Sequence, residues 1–272
     1  MVYGSETSVV TSRLWKQLLA VFFPQVCLSC QRLAENDSFD LGLCDTCRSQ
    51  LRPLGDGGCS ACGRPLEAVP LPDGFLCGDC RRRTPAIDRF VAGWSFEPPF
   101  DRVIHGLKYG RLDFLGTQLA RGLWSRLGHQ LEEAEVVVPV PLHWRRRLSR
   151  GYNQAEEIAR PLARLLDRPL ERAMRRVRAT PPQTRFDRRH RAANVAGAFR
   201  VRGRSRLSGR RVLIVDDVAT TGSTLETAAA CLKAAGAVWT VALVAGWTPM
   251  STTQAETPTD KGLFDRVSGD TL

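Results

Sequence analysis

The sequence predicts an α/β protein: a parallel sheet flanked by helices, preceded by a small cysteine-rich module. Three observations carry this. Eight of the nine cysteines fall between residues 27 and 80, as four C-x-x-C pairs. From Ile87 onward, short apolar runs alternate with helical apolar spacing, the texture of βαβ construction. Near the end, an apolar run closes on two acids, a loop of small hydroxyl residues and a helix start. The 272 residues leave room for one domain of about 150–180 residues and a small module. Hydrophobic residues make up 43%, enough for a real core, which excludes wholesale disorder. No run approaches the roughly 18–20 apolar residues needed to span a bilayer, which excludes an integral helical membrane protein.

Residues 1–25 read as an amphipathic helix. Leu14, Trp15, Leu18, Leu19, Phe22 and Phe23 recur at helical spacing, with Arg13, Lys16 and Gln17 between them. The unbroken apolar stretch, 18–23, is too short for an export signal, has no small-residue cleavage site and ends at Pro24. The helix is expected to cover its own protein, with peripheral membrane contact or a partner helix as the alternatives. Without a signal, the expected location is the reducing cytoplasm, and that decides how the cysteines are read.

Residues 26–84 read as a double zinc ribbon. The pairs are Cys27/Cys30, Cys44/Cys47, Cys59/Cys62 and Cys77/Cys80, and the second half repeats the first at an offset of 32 to 33 residues. A C-x-x-C turn offers two thiolates, so two turns complete one tetrahedral Zn²⁺ site with no open position. Two structural ions follow. Sequential pairing is the simplest arrangement, and a cross-braced pairing remains open. Disulfides need an oxidising compartment, and a redox C-x-x-C normally occurs once, beside a βαβ unit. Gly63 and Gly78 suit the sharp turns, and Cys231 reads as a small core residue of an Ala-rich helix.

Residues 87–247 form the α/β domain. Helices are expected over 100–107 and 112–127. The first strand of the sheet is expected over 136–142, broken by Pro139 and Pro141. A helix over 153–166 follows, then a short strand over 198–201, a buried strand over 211–215, a helix over 223–235 and a strand over 238–245. Residues 248–272 are polar and aperiodic and read as a disordered tail.

The sharpest signal is Arg211-Val212-Leu213-Ile214-Val215-Asp216-Asp217-Val218-Ala219-Thr220-Thr221-Gly222-Ser223-Thr224. Ligands of open α/β sheets bind at the carboxyl ends of strands. Backbone N–H groups and a helix start favour a phosphate there. Thr220, Thr221, Ser223 and Thr224 add hydroxyls, and Gly222 lets the backbone approach closely. Two acids beside a phosphate cradle make sense if the ligand also presents hydroxyls, as a ribose does. A nucleotide P-loop is a poor match, because no Gly-Lys-Ser/Thr is present.

Charge supports an anionic partner. Of 39 basic residues only four are lysine, and between positions 141 and 211 there are 21 arginines against five acids, a surplus of 16 positive charges. Such a stretch suits phosphorylated small molecules or nucleic acid.

The segment 211–224 resembles the signature of type I phosphoribosyltransferases. Leu107-Lys108-Tyr109, Val138-Pro139-Val140-Pro141-Leu142, Arg150-Gly151-Tyr152-Asn153-Gln154, Thr180, Gln183, Arg191, Asn194 and the cysteine pairs resemble the ComF/GntX group of competence-associated proteins, over about residues 14 to 247. Ala219, where a larger aliphatic residue is usual, and Phe186, where an aliphatic one is common, are departures. The resemblance implies that Asp216 and Asp217 hold the ribose hydroxyls of phosphoribosyl pyrophosphate. Ala219, Thr220, Thr221, Gly222, Ser223 and Thr224 would hold its 5′-phosphate. It makes 143–151 the pyrophosphate loop, with Arg146, Arg150 and Gly151 as ligands, and adds Lys108 and Gln183. Residues 175–194 become a hood closing over the site, with Arg191 a catalytic candidate. Mg²⁺ would arrive with the pyrophosphate. The implied activity is phosphoribosyl transfer to an unidentified acceptor in DNA uptake. The alternative is a non-catalytic single-stranded-DNA-binding or adaptor protein that retains the pocket and meets other DNA-uptake proteins.

Overall fold

In the computed structural model the described residues are 26–33, 39–54, 58–64, 72, 74–110, 112–177, 197–203 and 207–248, with the backbone alone at 145 and 146. The helix expected over 1–25, the hood beyond residue 177 and the tail from 249 lie outside them. The strands are β1 (Arg89–Ser95), β2 (Val136–Pro139), β3 (Met174–Arg176), β4 (Phe199–Val201), β5 (Arg211–Ala219) and β6 (Trp239–Trp247). Four of them form a parallel sheet in the order β1-β6-β5-β2, while β3 and β4 pair antiparallel on their own.

The sheet order explains the apolar runs. β5 and β6 have neighbours on both sides, so residues 212–215 and 241–245 are all buried. Alternate side chains feed two cores. Leu213, Val215, Val241 and Leu243 pack with α3 (Phe100–Tyr109), α4 (Phe114–Leu127) and α6 (Gln154–Leu165). Val212, Ile214, Ala242 and Val244 pack with α7 (Ser223–Ala234). Beyond β2, Val137 exchanges backbone hydrogen bonds with Pro169 and Glu171, so a single bridge at Leu170 extends that edge. No helix among the described residues is long and apolar enough to cross a membrane.

Four elements differ from the sequence reading. The sheet begins at β1, not at 136; β1 is an edge strand interrupted by Gly93 and opened by Arg89, so it lacks the continuous apolar run of a central strand. β2 itself ends at Pro139, short of the expected 142. Residues expected as a loop form α5 (Trp144–Arg150), a seven-residue helix. Its large apolar side chains, Trp144 and Leu148, point outward at 57% and 76% exposure, so no buried stripe marks it. The short strand β3 was also unanticipated; its partner β4 lies across the arginine-rich stretch.

The two halves of the cysteine module attach differently. Cys27, Leu41, Leu43 and Cys47 share the core of α3 and α4. Cys59, Ala61, Cys62, Cys77 and Cys80 form a small cluster of their own.

Candidate functional site

The cysteines converge as two sequential sets, Cys27/Cys30/Cys44/Cys47 and Cys59/Cys62/Cys77/Cys80, with the sulfurs of each set within 4.8 Å of one another. The structure thereby selects sequential over cross-braced pairing. Cys30 and Cys44 Sγ are 3.7 Å apart, and Cys62 and Cys77 Sγ 3.9 Å. The edge of a ZnS₄ tetrahedron with 2.3 Å bonds is about 3.8 Å. The internal repeat is also geometric. Gln31 and Gly63, 32 residues apart, both take left-handed φ (62° and 68°) and donate N–H to the carbonyls of Cys27 and Cys59. Cys44 and Cys77 donate N–H to Cys27 Sγ and Cys59 Sγ at 3.4 and 3.3 Å, and each begins a short helix, α1 (Asp45–Ser49) and α2 (Gly78–Arg81). Gly78 therefore opens a helix and makes no sharp turn, because the second pair of each ribbon sits on helical backbone.

The thiols of each set are strongly uneven. Cys59 is pulled down to about 4 by hydrogen bonding from Cys62 and by backbone N–H groups, while burial and neighbouring thiols push Cys47 up to about 12. Four thiolates this close cannot all ionise without a cation, and a divalent ion in the middle removes that conflict. The donor set fits Zn²⁺.

Further along the chain, β5 carries both acids near its C-terminal end. Asp217 N–H donates to Asp216 Oδ1 at 2.9 Å, and Val218 N–H donates to Asp217 Oδ1 at 2.8 Å. Asp216 is pushed well above the ordinary carboxylate range, by burial first and by the Asp217 charge second. Lys108 Nζ, from the end of α3, meets Asp217 Oδ2 at 2.9 Å. The strand runs on to Ala219, so the loop is only Thr220, Thr221 and Gly222. Gly222 precedes α7 with φ +71°, a conformation an L side chain rarely adopts. Thr221 Oγ1 and Ser223 Oγ lie 2.8 Å apart, and Thr227 Oγ1 ties back to the Ser223 carbonyl at 2.9 Å. The result is a short loop of hydroxyls ahead of a twelve-residue helix, with two carboxylates and a lysine beside it.

The end of α3 also meets the turn after α5. Arg150 reaches Tyr109 Oη at 3.2 Å, stacks over the Tyr109 ring at 5.0 Å and holds Gln154 at 3.1 Å. Tyr152 Oη donates to the Leu107 carbonyl, and Asn153 Nδ2 to the Val140 carbonyl at 3.0 Å. Lys108, Arg150, Gly151, Asp216 and Asp217 are thus brought to the carboxyl ends of the strands. Arg146 is described by backbone alone, and Gln183 and Arg191 lie outside the described residues.

A cavity of about 150 Å³ lies beside this edge, lined by Trp144, Arg147, Arg172, Arg175, Arg176 and Arg202 among others. Arg147, Arg175 and Arg202 make no ion pair among the described residues. Glu156 is buried on its floor, held by Arg172 and by Arg160 at 2.8 Å. The sequence reading placed Arg147 in the 143–151 loop and Arg175 and Arg176 at the start of the hood, but did not single out Arg172 or Arg202, which nothing local distinguishes among the 21 arginines between 141 and 211. Burial raises the Glu156 pKa, yet the two arginines outweigh it and hold it below the ordinary range. A depressed carboxyl stabilises the fold above its unfolded pKa and loses that contribution as pH falls through the folded one. Thermal melts from pH 7 to 3 should therefore show stability falling below about pH 4.5. Arg172→Met should flatten that fall and cost about 1 kcal/mol at neutral pH, Arg172 being half exposed. An unchanged acid limb would remove Glu156 as the titrating anchor.

The chain is similar to known proteins over most of its length. A family model described as the double zinc ribbon domain matches residues 18–81, and one described as the phosphoribosyl transferase domain matches residues 150–270. Competence protein F of Haemophilus influenzae is 32% identical over 225 residues, 79% of this chain and 93% of that protein. DNA utilization protein YhgH of Escherichia coli K12 is 36% identical over 213 residues, 72% of this chain and 92% of that protein. Competence protein ComFC of Bacillus subtilis is 26% identical, over 72% and 80%. The crystal structure of a purine phosphoribosyltransferase from Pyrococcus horikoshii aligns at a TM-score of 0.31 and 25% identity, over 49% of this chain and 77% of that one.

Proposed function

The chain belongs to the competence protein F (ComF) family, and from that premise we propose that it binds phosphoribosyl pyrophosphate at the β5–α7 loop and transfers the phosphoribosyl group in DNA uptake. The observation that carries this is the Asp216–Asp217 pair at the end of a central parallel strand, beside a left-handed Gly222 and the start of α7. Carboxylates accept hydrogen bonds from vicinal ribose hydroxyls. Loop amides and the hydroxyls of Thr220, Thr221, Ser223 and Thr224 donate to a 5′-phosphate. Neither group of ligands suits the other's partner, and a ribose phosphate presents both.

In the transfer, a nucleophilic nitrogen of the acceptor forms a bond to the anomeric carbon. The bond from that carbon to the pyrophosphate oxygen breaks, and its electron pair leaves with the diphosphate. The protein's contribution is placement and charge. Asp216 and Asp217 orient the ribose. Lys108 pairs with Asp217 in the free protein, so a ribose hydroxyl arriving at Asp217 releases Lys108 toward the departing diphosphate. Arg150, already fixed by Tyr109 and Gln154, faces the same end. Mg²⁺ would be brought by the diphosphate oxygens and would supply charge to the leaving group, with no dedicated protein cage required; among the described residues, three or more metal-ligating side chains converge only at the cysteine sets.

The test is a calorimetric titration of phosphoribosyl pyrophosphate with Mg²⁺ into the zinc-loaded protein. Saturable binding at one site per chain is expected, and absence of binding by folded protein overturns the reading. The arginine cavity beside Trp144 favours a second activity, contact with a nucleic-acid backbone. Such binding should weaken steeply between 50 and 200 mM salt and persist in Asp217→Ala. Salt-insensitive or absent binding rejects it.

A further inference from the structure

The two ribbons are not equivalent with respect to the phosphate loop. Built out from Gly222, a Cβ would point at the Cys62 carbonyl oxygen and the Phe90 ring, each 3.9 Å away. Gly222 therefore lies about one methyl group's breadth from the Cys59–Cys62 turn and from one aromatic ring of β1. That ring is itself gripped by the ribbon: a Cβ on Gly63 would fall 2.2 Å from Phe90 Cδ1, so ring and turn are in close contact. Gly63 N–H closes the turn onto the Cys59 carbonyl at 2.8 Å.

A second connection reaches the loop from α7. Glu226 N–H donates to the Gly222 carbonyl at 2.9 Å, closing the first helical turn directly behind the loop. Its carboxylate Oε1 accepts the Ala86 N–H at 2.7 Å, across 140 residues of sequence. Arg83, three residues before Ala86, donates to Cys80 Sγ at 3.5 Å and so ties this connecting segment to the second cysteine set. The first ribbon lies elsewhere: Cys27 and Cys47 are packed among α3 and α4.

We propose that the second four-cysteine site is a positioning element for the phosphate loop, holding Gly222 and the first turn of α7 through Cys62 and Phe90 on one side and through the segment from Cys80 and Arg83 to the Ala86–Glu226 hydrogen bond on the other. Zinc at Cys59, Cys62, Cys77 and Cys80 keeps both contacts in register, while zinc at the first site serves the core. The effect on affinity rests on reading this loop as the phosphate cradle; the effect on loop order does not.

Hydrogen exchange on the full zinc-loaded chain tests this without any ligand. The variants are Cys80→Ser, Arg83→Gln and Cys30→Ser, with metal content measured for each. Peptides covering residues 219–226 should exchange about tenfold faster in Cys80→Ser and in Arg83→Gln, and at the native rate in Cys30→Ser. Arg83→Gln keeps all eight cysteines, so it decides the matter if Cys80→Ser does not fold. Native exchange of the loop in Arg83→Gln overturns the proposal, as does equal acceleration in Cys30→Ser. Titration of the same proteins with phosphoribosyl pyrophosphate should show about tenfold weaker binding in Arg83→Gln. If the unmodified protein does not bind it, the functional reading fails while the exchange rates still decide the positioning role.

Discussion

Asp217→Asn should weaken phosphoribosyl pyrophosphate binding by roughly 100-fold, about 2.7 kcal/mol, and leave the fold nearly as stable as before. The loss is large because a ribose hydroxyl bound to a carboxylate makes a charge-assisted hydrogen bond that the neutral amide oxygen of asparagine does not match. The small change in stability is a balance. Removing Asp217 strands the partly buried Lys108, which costs free energy. It also removes the like charge that helps push Asp216 upward. An acid whose folded pKa is raised weakens the fold increasingly as pH climbs from its unfolded value to the folded one, so easing that rise restores some stability at neutral pH. Calorimetry and a melting curve on the same sample separate the two effects. Unchanged affinity in a well-folded variant would mean that the ribose is not held at the end of β5.

Disruption of the first ribbon should lower the global stability of the α/β domain while leaving local opening of the 219–226 loop unchanged. Cys47→Ser removes one thiolate from a site whose neighbours Leu41 and Leu43 are buried against α3 and α4. Losing the ion unlatches that covering layer and exposes an apolar surface, with a cost on the order of 3–5 kcal/mol. For a domain of this size that lowers Tm by on the order of 10 °C. Zinc content should fall from two ions per chain to one. A strong chelator should reproduce the drop in the unmodified protein, and restored Zn²⁺ should reverse it. A native Tm with one ion lost would show that the first ribbon is an appendage rather than part of the core.

How much could be read in advance depended on distance along the chain. The cysteine spacing is local, and so is the strand, acid pair, loop and helix start around Asp216 to Thr224; both were legible as chemistry. Central strands were legible too, because burial on both faces leaves uninterrupted apolar runs at 212–215 and 241–245. β1 was missed because an edge strand with Arg89 and Gly93 has no such run. α5 was missed because a helix that turns Trp144 and Leu148 to solvent leaves no inward stripe to count.

The sequence by itself therefore determined the two zinc-binding chemistries, the strand–acid-pair–hydroxyl-loop–helix segment proposed to hold a phosphate, and the α/β class. Each rests on residues within a few turns of one another, where backbone geometry and donor type leave few options. Tertiary structure alone decided which cysteine pairs share an ion, that Lys108 answers Asp217, that Glu156 gathers Arg160 and Arg172, and that Glu226 ties α7 to Ala86 beside the second ribbon. Lys108 and Asp217 are 109 positions apart, and Ala86 and Glu226 are 140. No local preference ranks one distant partner above another among 35 arginines and 28 acids. Only the order β1-β6-β5-β2, set by burying two apolar strands at the centre, brings those particular pairs within hydrogen-bonding reach.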